Sequence, residues 1–249
     1  MPERGPDSLP LLQLLPNAVT ILGLCCGLTA IRYTMMGRFD LAAILIVLAA
    51  VIDGLDGTLA RRLDAASPFG AELDSLSDFL AFGVAPGLLM YQFALSDVQG
   101  FGWIAVLVYT ICACLRLARF NVNRSAPEAG RPHFVGVPAP GGAMLALLPL
   151  FLTEVGLLNA EDLPLACGIH VGLVGLLMAS TVPTPSSKAL RIPRDKAGLA
   201  LVALATLVGI ALTRFWVLMS LISLCYALVI AVSVLRHVIR RLRKRKRGA

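Results

Sequence analysis

The sequence predicts an all-α integral membrane protein, a bundle of about eight transmembrane helices with both termini on the cytoplasmic side. Three observations predict it. The chain is 57% hydrophobic and only 15% charged, whereas soluble domains are roughly 45–50% apolar and about 25% charged. Its apolar residues gather in runs close to the length a helix needs to cross hydrocarbon, about 17 to 25 residues. Its Lys and Arg residues gather on alternate loops. Strand-type alternation is absent, which excludes a β-barrel.

The first run, 18–35, follows "MPERGPDSLPLLQLLPNAVT". That stretch lacks the basic start and short apolar core of a cleavable leader and reads as a tail entering the first helix. The second run, 41–60, follows Asp40, which is placed to cap its helix. The third, 74–94, is the most polar. Runs 101–118, 138–157, 165–182, 197–213 and 215–236 complete the set.

An even number of spans puts both termini on one side. With that side cytoplasmic, Arg32, Arg38 and Arg214 alone among the 22 Lys and Arg residues fall outside. This is the asymmetry of the positive-inside rule, and the reverse orientation is rejected. The clusters inside are Arg61 and Arg62; Arg116, Arg119, Arg124 and Arg131; Lys188, Arg191, Arg194 and Lys196; and the tail "RHVIRRLRKRKRGA". The tail supplies most of the net charge of +7. It reads first as an orientation signal and second as an attraction to anionic membrane lipids, worth about 1 kcal/mol per basic residue at the surface. No aromatic interleaving or binding fold accompanies it, so nucleic acid is not an expected partner. Cys25, Cys26, Cys112, Cys114, Cys167 and Cys225 lie in apolar runs with no C-x-x-C pair. They read as small buried hydrophobes, not as a disulfide framework or a thiolate metal site.

The segment "IDGLDGTLARRLDAASPFGAELDSLSDF", Ile52 to Phe79, breaks this pattern with six acidic side chains. Residues three and four apart share a helix face. Asp53, Asp56, Gly57, Ala60 and Arg61 therefore form one stripe at the cytoplasmic end of the second span. Gly70, Asp74 and Asp78 form a matching stripe in the third. The connection "RLDAASPF", with Pro68 as a helix breaker, folds the two into a hairpin. Four converging carboxylates repel one another, and four negative charges match two divalent cations. Hard carboxylate oxygens select Mg²⁺ or Mn²⁺, with Ca²⁺ acceptable at one position, and no His or Cys in the cluster argues for zinc. Gly57 and Ala60 leave room against the backbone, and Arg61 adds a fixed cation suited to phosphate. Together these features fit a diphosphate ester.

The pattern D-x2-D-G-x2-A-R-x8-G-x3-D-x3-D, filled by Asp53, Asp56, Gly57, Ala60, Arg61, Gly70, Asp74 and Asp78, resembles the signature of the CDP-alcohol phosphatidyltransferases. Within that family, "LPNAVTILGL", "CLRLARFNV" and "FVGVPAPGGA" resemble the bacterial membrane-embedded phosphatidylserine synthases. "FVGVPAPGGA" departs from their pattern at Val137 and at two glycines, where Leu and alanines are expected. The resemblance runs over about residues 10–145. It implies a single membrane domain over 1–249, with a catalytic region at 10–160, additional helices at 161–236 and a basic cytoplasmic tail at 237–249.

The resemblance further implies that Asp53, Asp56, Asp74 and Asp78 bind two metal ions, with Asp78 also the general base. CDP-diacylglycerol would be held by Asn17, Thr20, Asp56, Gly57, Ala60, Arg61, Ser67 and Gly70. The implied reaction is attack by the L-serine hydroxyl on the phosphorus joined to diacylglycerol, with CMP leaving. A homodimer in the cell's inner membrane, with its active site at the cytoplasmic face, is likewise implied. Arg116 and Arg119, one turn apart, and Asn121 are candidates for the acceptor pocket, although cations at a helix C-terminus are also ordinary. His133 reads as a loop residue, and His170 and His237 as structural or interfacial.

Two alternatives stay open. The same transferase chemistry can use glycerol 3-phosphate or an inositol phosphate, for which Arg116, Arg119, Arg124 and Arg131 offer extra charge. An ion-coupled transporter would also carry intramembrane carboxylates, but it predicts broken helices in corresponding halves, and only one acidic hairpin is present.

Overall fold

The computed structural model describes residues 11–62, 67–125, 134–180, 183–184 and 197–247. Over these residues the protein consists of helices joined by turns and short loops, with one two-residue strand pair. In order run α1 Leu11–Met35, α2 Phe39–Arg62, α3 Pro68–Asp78, a π-helical segment Phe79–Val84, α4 Ala85–Met90, a second π-helical segment Tyr91–Leu95 and a 3₁₀ turn Ser96–Val98. There follow α5 Gln99–Ser125, β1 Phe134–Val135, α6 Ala139–Ala146, α7 Leu148–Glu154, α8 Pro164–Ala179, β2 Pro183–Thr184, α9 Ala197–Thr213 and α10 Phe215–Arg247. β1 and β2 pair antiparallel, Phe134 with Thr184 and Val135 with Pro183.

Four stretches are long and apolar enough to cross a membrane: Leu15–Met35, Pro68–Val98, Gly100–Val122 and Phe215–Arg236. Helices stand at the other four predicted positions as well. Of these, α8 has 16 residues and the fifth is split into two short pieces, α6 and α7. The third run starts earlier than the hydropathy suggests and is helical from Pro68 to Val98. Proline stands in the first turn of α3, α6 and α8, where its fixed φ suits a helix start and its missing N–H costs nothing.

A tight turn lays α2 back along α1. Gly37 takes φ +71°, and the Arg38 N–H donates to Tyr33 O at 2.9 Å, closing α1 in the manner of a Schellman motif. Asp40 is not the cap expected from the sequence. It lies inside the first turn of α2 and pairs with Arg38 Nε at 3.4 Å, because the turn already satisfies the helix entry.

Small residues then bring the axes close. Ala30, Ala42, Ala43 and Ala49 are buried in the core. A Cβ at Gly27 would lie 2.9 Å from Leu80 and 3.0 Å from Ala81 Cα. A Cβ at Gly175 of α8 would lie 2.6 Å from the Tyr109 backbone of α5. With no water to drive association inside a bilayer, such close approach is how helices gain packing energy. At Gly136, φ is +86° and a Cβ would lie 2.8 Å from both Met178 O and Ser180 O. Only glycine fits where β1 leads into α6.

All six cysteines are free. Cys112 and Cys167 are buried, but Cys25, Cys114 and Cys225 are exposed. The expectation of burial is corrected for those three. They sit on outward faces of helices that cross the apolar spans, where a weakly polar thiol is at ease.

Candidate active site

The site is built where α1, α2 and α3 meet. Ser67 opens α3: its backbone is extended and its Oγ accepts the Gly70 N–H at 3.0 Å, a serine N-cap followed by proline at the first helical position. Gly70 leaves room there for the Asn17 side chain. A Cβ would lie 2.7 Å from Asn17 Oδ1 and 3.1 Å from Ser67 Oγ. The glycine lets α1 pass with its asparagine in place.

One turn further along α1, Thr20 is 6% exposed, as is Asp56. Its hydroxyl donates to Asp56 Oδ2 at 2.9 Å and also lies 3.1 Å from Pro16 O. Buried Ser77 donates to Thr20 O at 3.3 Å. A chain of contacts thus ties α3 through α1 to a carboxylate of α2. This fixes the Asp56 carboxylate in the way outer partners orient metal ligands.

The result is an acidic triad. Asp53, Asp56 and Asp74 each present a carboxylate oxygen, and these atoms lie within 4.8 Å of one another. Asp78 stands outside that triad but lines the same cleft and lies within hydrogen-bonding reach of Asp53. The cleft is narrow and partly open, and Thr20, Gly23, Ser77 and Phe82 are among its walls. Three carboxylates at this spacing suit a hard divalent cation bound through oxygen. Among the described residues no histidine or cysteine joins the group. The donor set therefore fits a metal ion bound through carboxylate oxygen.

Immediately after Asp78 the helix changes pitch. The π-helical segment Phe79–Val84 begins at the next residue, and such segments recur at functional sites. Pro86 cannot donate to Phe82 O, four residues back. The buried Tyr109 hydroxyl of α5 donates to it instead at 2.6 Å, and Thr110 Oγ1 donates to Gly83 O at 3.1 Å.

Among the described residues, Arg116, two turns further along α5, is the guanidinium that acts on this cluster. It interacts electrostatically with Asp78 and Asp53 yet makes no direct ion pair with either. Arg119 is engaged elsewhere: its Nη1 donates to Ala179 O at 2.9 Å and closes the end of α8, a normal use for a cation at a helix C-terminus. Asn121 ties α5 to α3, with Ser75 Oγ donating to its Oδ1 at 3.0 Å. Gly57 faces open space, with nothing within 4 Å of where a Cβ would stand. The side chains of Ala60 and Arg61 lie outside the described residues, as do residues 63–66 of the hairpin connection, and Arg124, Arg131 and His133.

Comparison with known proteins now bears on this geometry. The pattern of the CDP-alcohol phosphatidyltransferase family matches residues 13–183. The chain belongs to that family. Among similar proteins, the CDP-diacylglycerol–serine O-phosphatidyltransferase of Mycobacterium tuberculosis (strain ATCC 25618 / H37Rv) is 38% identical over 222 residues, 86% of this chain and 76% of its own. Proteins of the same name from Helicobacter pylori (strain J99 / ATCC 700824) and Bacillus subtilis (strain 168) are 35% and 36% identical. They cover 71% and 70% of this chain and 74% and 91% of their own.

As a member of this family, the chain places its acidic signature on α2 and α3 and the supports of that signature on α1 and α5. Sequence reasoning missed Ser77, Gly23, Phe82, Tyr109 and Thr110. The polar ones carried a signal, since a hydroxyl in an apolar span must find a partner, but the sequence does not say which partner.

Proposed function

We propose that the protein is a phosphatidylserine synthase. It transfers the phosphatidyl group of CDP-diacylglycerol to the hydroxyl of L-serine, giving phosphatidylserine and CMP. The observation that carries this reading is the convergence of Asp53, Asp56 and Asp74 within 4.8 Å, with Asp78 beside them, in a chain of this family whose similar proteins are named for serine transfer.

In this reading Asp53, Asp56, Asp74 and Asp78 hold two divalent cations, Mg²⁺ or Mn²⁺, with Ca²⁺ acceptable at one position. When bound, the cations neutralise the diphosphate and stabilise the departing CMP. Thr20, which donates to Asp56 Oδ2, would keep that carboxylate oriented for metal binding. Asn17, Gly57, Ala60, Arg61, Ser67 and Gly70 contact the CDP portion. Asp78 takes the proton of the serine hydroxyl as that oxygen bonds to the phosphorus bearing diacylglycerol, and the bond from this phosphorus to the oxygen of CMP breaks. Asp78 has two oxygens to divide between cation and proton. Arg116 faces the acceptor side, with Asn121 and Arg119 nearby on the same helix.

The finer architecture follows the same reading. All eight helical positions span the inner membrane, both termini are cytoplasmic, and the site opens at the cytoplasmic face, where the nucleotide arrives while the lipid tails stay in the bilayer. Residues 10–160 form the catalytic region, 161–236 the added helices, and 237–249 a tail drawn to anionic lipids. The protein acts as a homodimer.

The test is CMP release from CDP-diacylglycerol by membranes holding the protein, with L-serine, glycerol 3-phosphate or an inositol phosphate as acceptor and Mn²⁺ or Mg²⁺ present. Serine-dependent release that ceases with chelator is the expected result. Release with a phosphorylated acceptor alone would assign the chain to another branch of the family.

A further inference from the structure

Among the described residues, two buried side-chain polar atoms have no hydrogen-bond partner: Arg116 Nε and the Tyr226 hydroxyl. They interact with each other electrostatically, and Arg116 interacts in turn with Asp78 and Asp53. A buried donor without a partner costs about 1–3 kcal/mol, so two such donors whose charges act on one another describe a place where an acceptor group belongs.

Tyr226 lies on α10, beyond the residues 13–183 that carry the family pattern. Its position is set by a polar seam. Ser220 Oγ donates to Phe151 O at 3.1 Å and Ser223 Oγ to Met144 O at 3.3 Å, which clamps one face of α10 against α6 and α7. Tyr226 follows on that face, three residues after Ser223. Its ring fills the space left by Gly141 of α6, where a Cβ would lie 2.8 Å from Tyr226 Cε1 and 2.9 Å from its hydroxyl oxygen. Gly141 belongs to "FVGVPAPGGA", the motif whose glycines depart from the expected pattern. Small size at this position is what admits the tyrosine.

We propose that Tyr226 and Arg116 together receive the anionic group of the acceptor, so that α10, an element outside the family pattern, completes the acceptor pocket. The proposal rests on the functional reading above and deepens it. L-serine presents a carboxylate and a hydroxyl a few bonds apart. A carboxylate that accepts from Arg116 Nε–H and the Tyr226 O–H leaves the hydroxyl on the Asp78 side of Arg116. The phenol supplies a donor that carries no second positive charge, which suits a single carboxylate.

The test compares wild type with Tyr226→Phe in detergent micelles, reading CMP release against L-serine, ethanolamine (serine without its carboxylate) and CDP-diacylglycerol. A hydrogen bond to a charged group is worth about a tenfold change or more. Tyr226→Phe is expected to raise KM for serine by about that factor while kcat, and KM for ethanolamine and CDP-diacylglycerol, stay within about twofold. Gly141→Ala, which pushes the ring aside, is expected to raise KM for serine in the same way. An unchanged KM for serine in Tyr226→Phe, or an equal rise for serine and ethanolamine, overturns the proposal. If wild type releases no CMP with serine, the functional reading fails by itself. The same variant read against glycerol 3-phosphate then decides the donor pair, a raised KM upholding it and an unchanged one overturning it.

Discussion

Pro86 and Pro149 both sit inside apolar helical stretches, and each denies an N–H to the carbonyl four residues back, Phe82 O in one case and Leu145 O in the other. In both places a side chain from a neighbouring helix donates instead. Tyr109 reaches Phe82 O at 2.6 Å, and His170 Nε2–H reaches Leu145 O at 2.7 Å. The outcomes differ. Around Pro86 the chain stays helical from Pro68 to Val98 by widening into π turns. Before Pro149 it breaks, with Leu147 at φ −81°, ψ −2° between α6 and α7. Near Pro86, α5 supplies two donors to consecutive carbonyls, Phe82 and Gly83, and the rod that carries Asp74 and Asp78 is kept whole. Near Pro149 one donor serves the freed carbonyl, and α10 stitches onto the two short pieces through Ser220 and Ser223. The proline does not decide whether a helix survives; the neighbouring donors do.

If the unbroken rod exists to deliver carboxylates, the largest effect belongs to the residue at its π junction. Asp78→Asn keeps shape and volume but cannot take a proton. Turnover is expected to fall by about 10²–10⁴-fold, while CDP-diacylglycerol binding, followed by equilibrium titration, is largely kept. Full activity in this variant would remove Asp78 as the base and with it the functional meaning of the junction. Next in size is Thr20→Val, which removes the hydroxyl that holds Asp56 without touching a carboxylate. Apparent affinity for Mn²⁺, read from the metal dependence of CMP release, is expected to weaken by about 10- to 100-fold. A variant with unchanged metal dependence would show that the triad needs no brace from α1.

How much of this was legible in the sequence depends on the range of the interaction. The eight helical positions follow from hydropathy, and Asp53, Asp56 and Asp74 follow from spacings of three and four, because both are local. The acidic stripes could be paired across the hairpin because a short connection leaves few alternatives. Other features needed the third dimension. Asn17 was assigned to the nucleotide, and it also lies inside α1 against Gly70. Ser67 was assigned to the nucleotide, and it also starts α3. Arg116 and Arg119, one turn apart, read alike in sequence. On the structure one faces carboxylates and the other closes α8. Tyr226 drew no notice, since a tyrosine in an apolar helix is ordinary until its hydroxyl is seen without a partner. The split at Leu147 was missed because Pro149 gives the same local signal as Pro86, and the distinguishing donors lie on other helices.

The comparison of the two prolines is sharpened by removing each substitute donor in turn. Tyr109→Phe takes only a hydroxyl from the α5 side, and His170→Phe takes the imidazole N–H from the α8 side. Each withdraws a donor from a buried carbonyl and is expected to cost about 1–3 kcal/mol of stability, measured as thermal unfolding in detergent. Turnover should separate them. Tyr109 supports the turn that follows Asp78, so its loss shifts a reacting group, and kcat is expected to drop by about tenfold, since small misplacements are costly in a positioned site. His170 supports a break far along the chain from the acidic residues, and kcat at a temperature where both variants are folded is expected to stay within about twofold of wild type. Equal loss of turnover in the two variants would mean that the bundle transmits either defect to the site alike. The π turn would then be a way of tolerating Pro86 and nothing more.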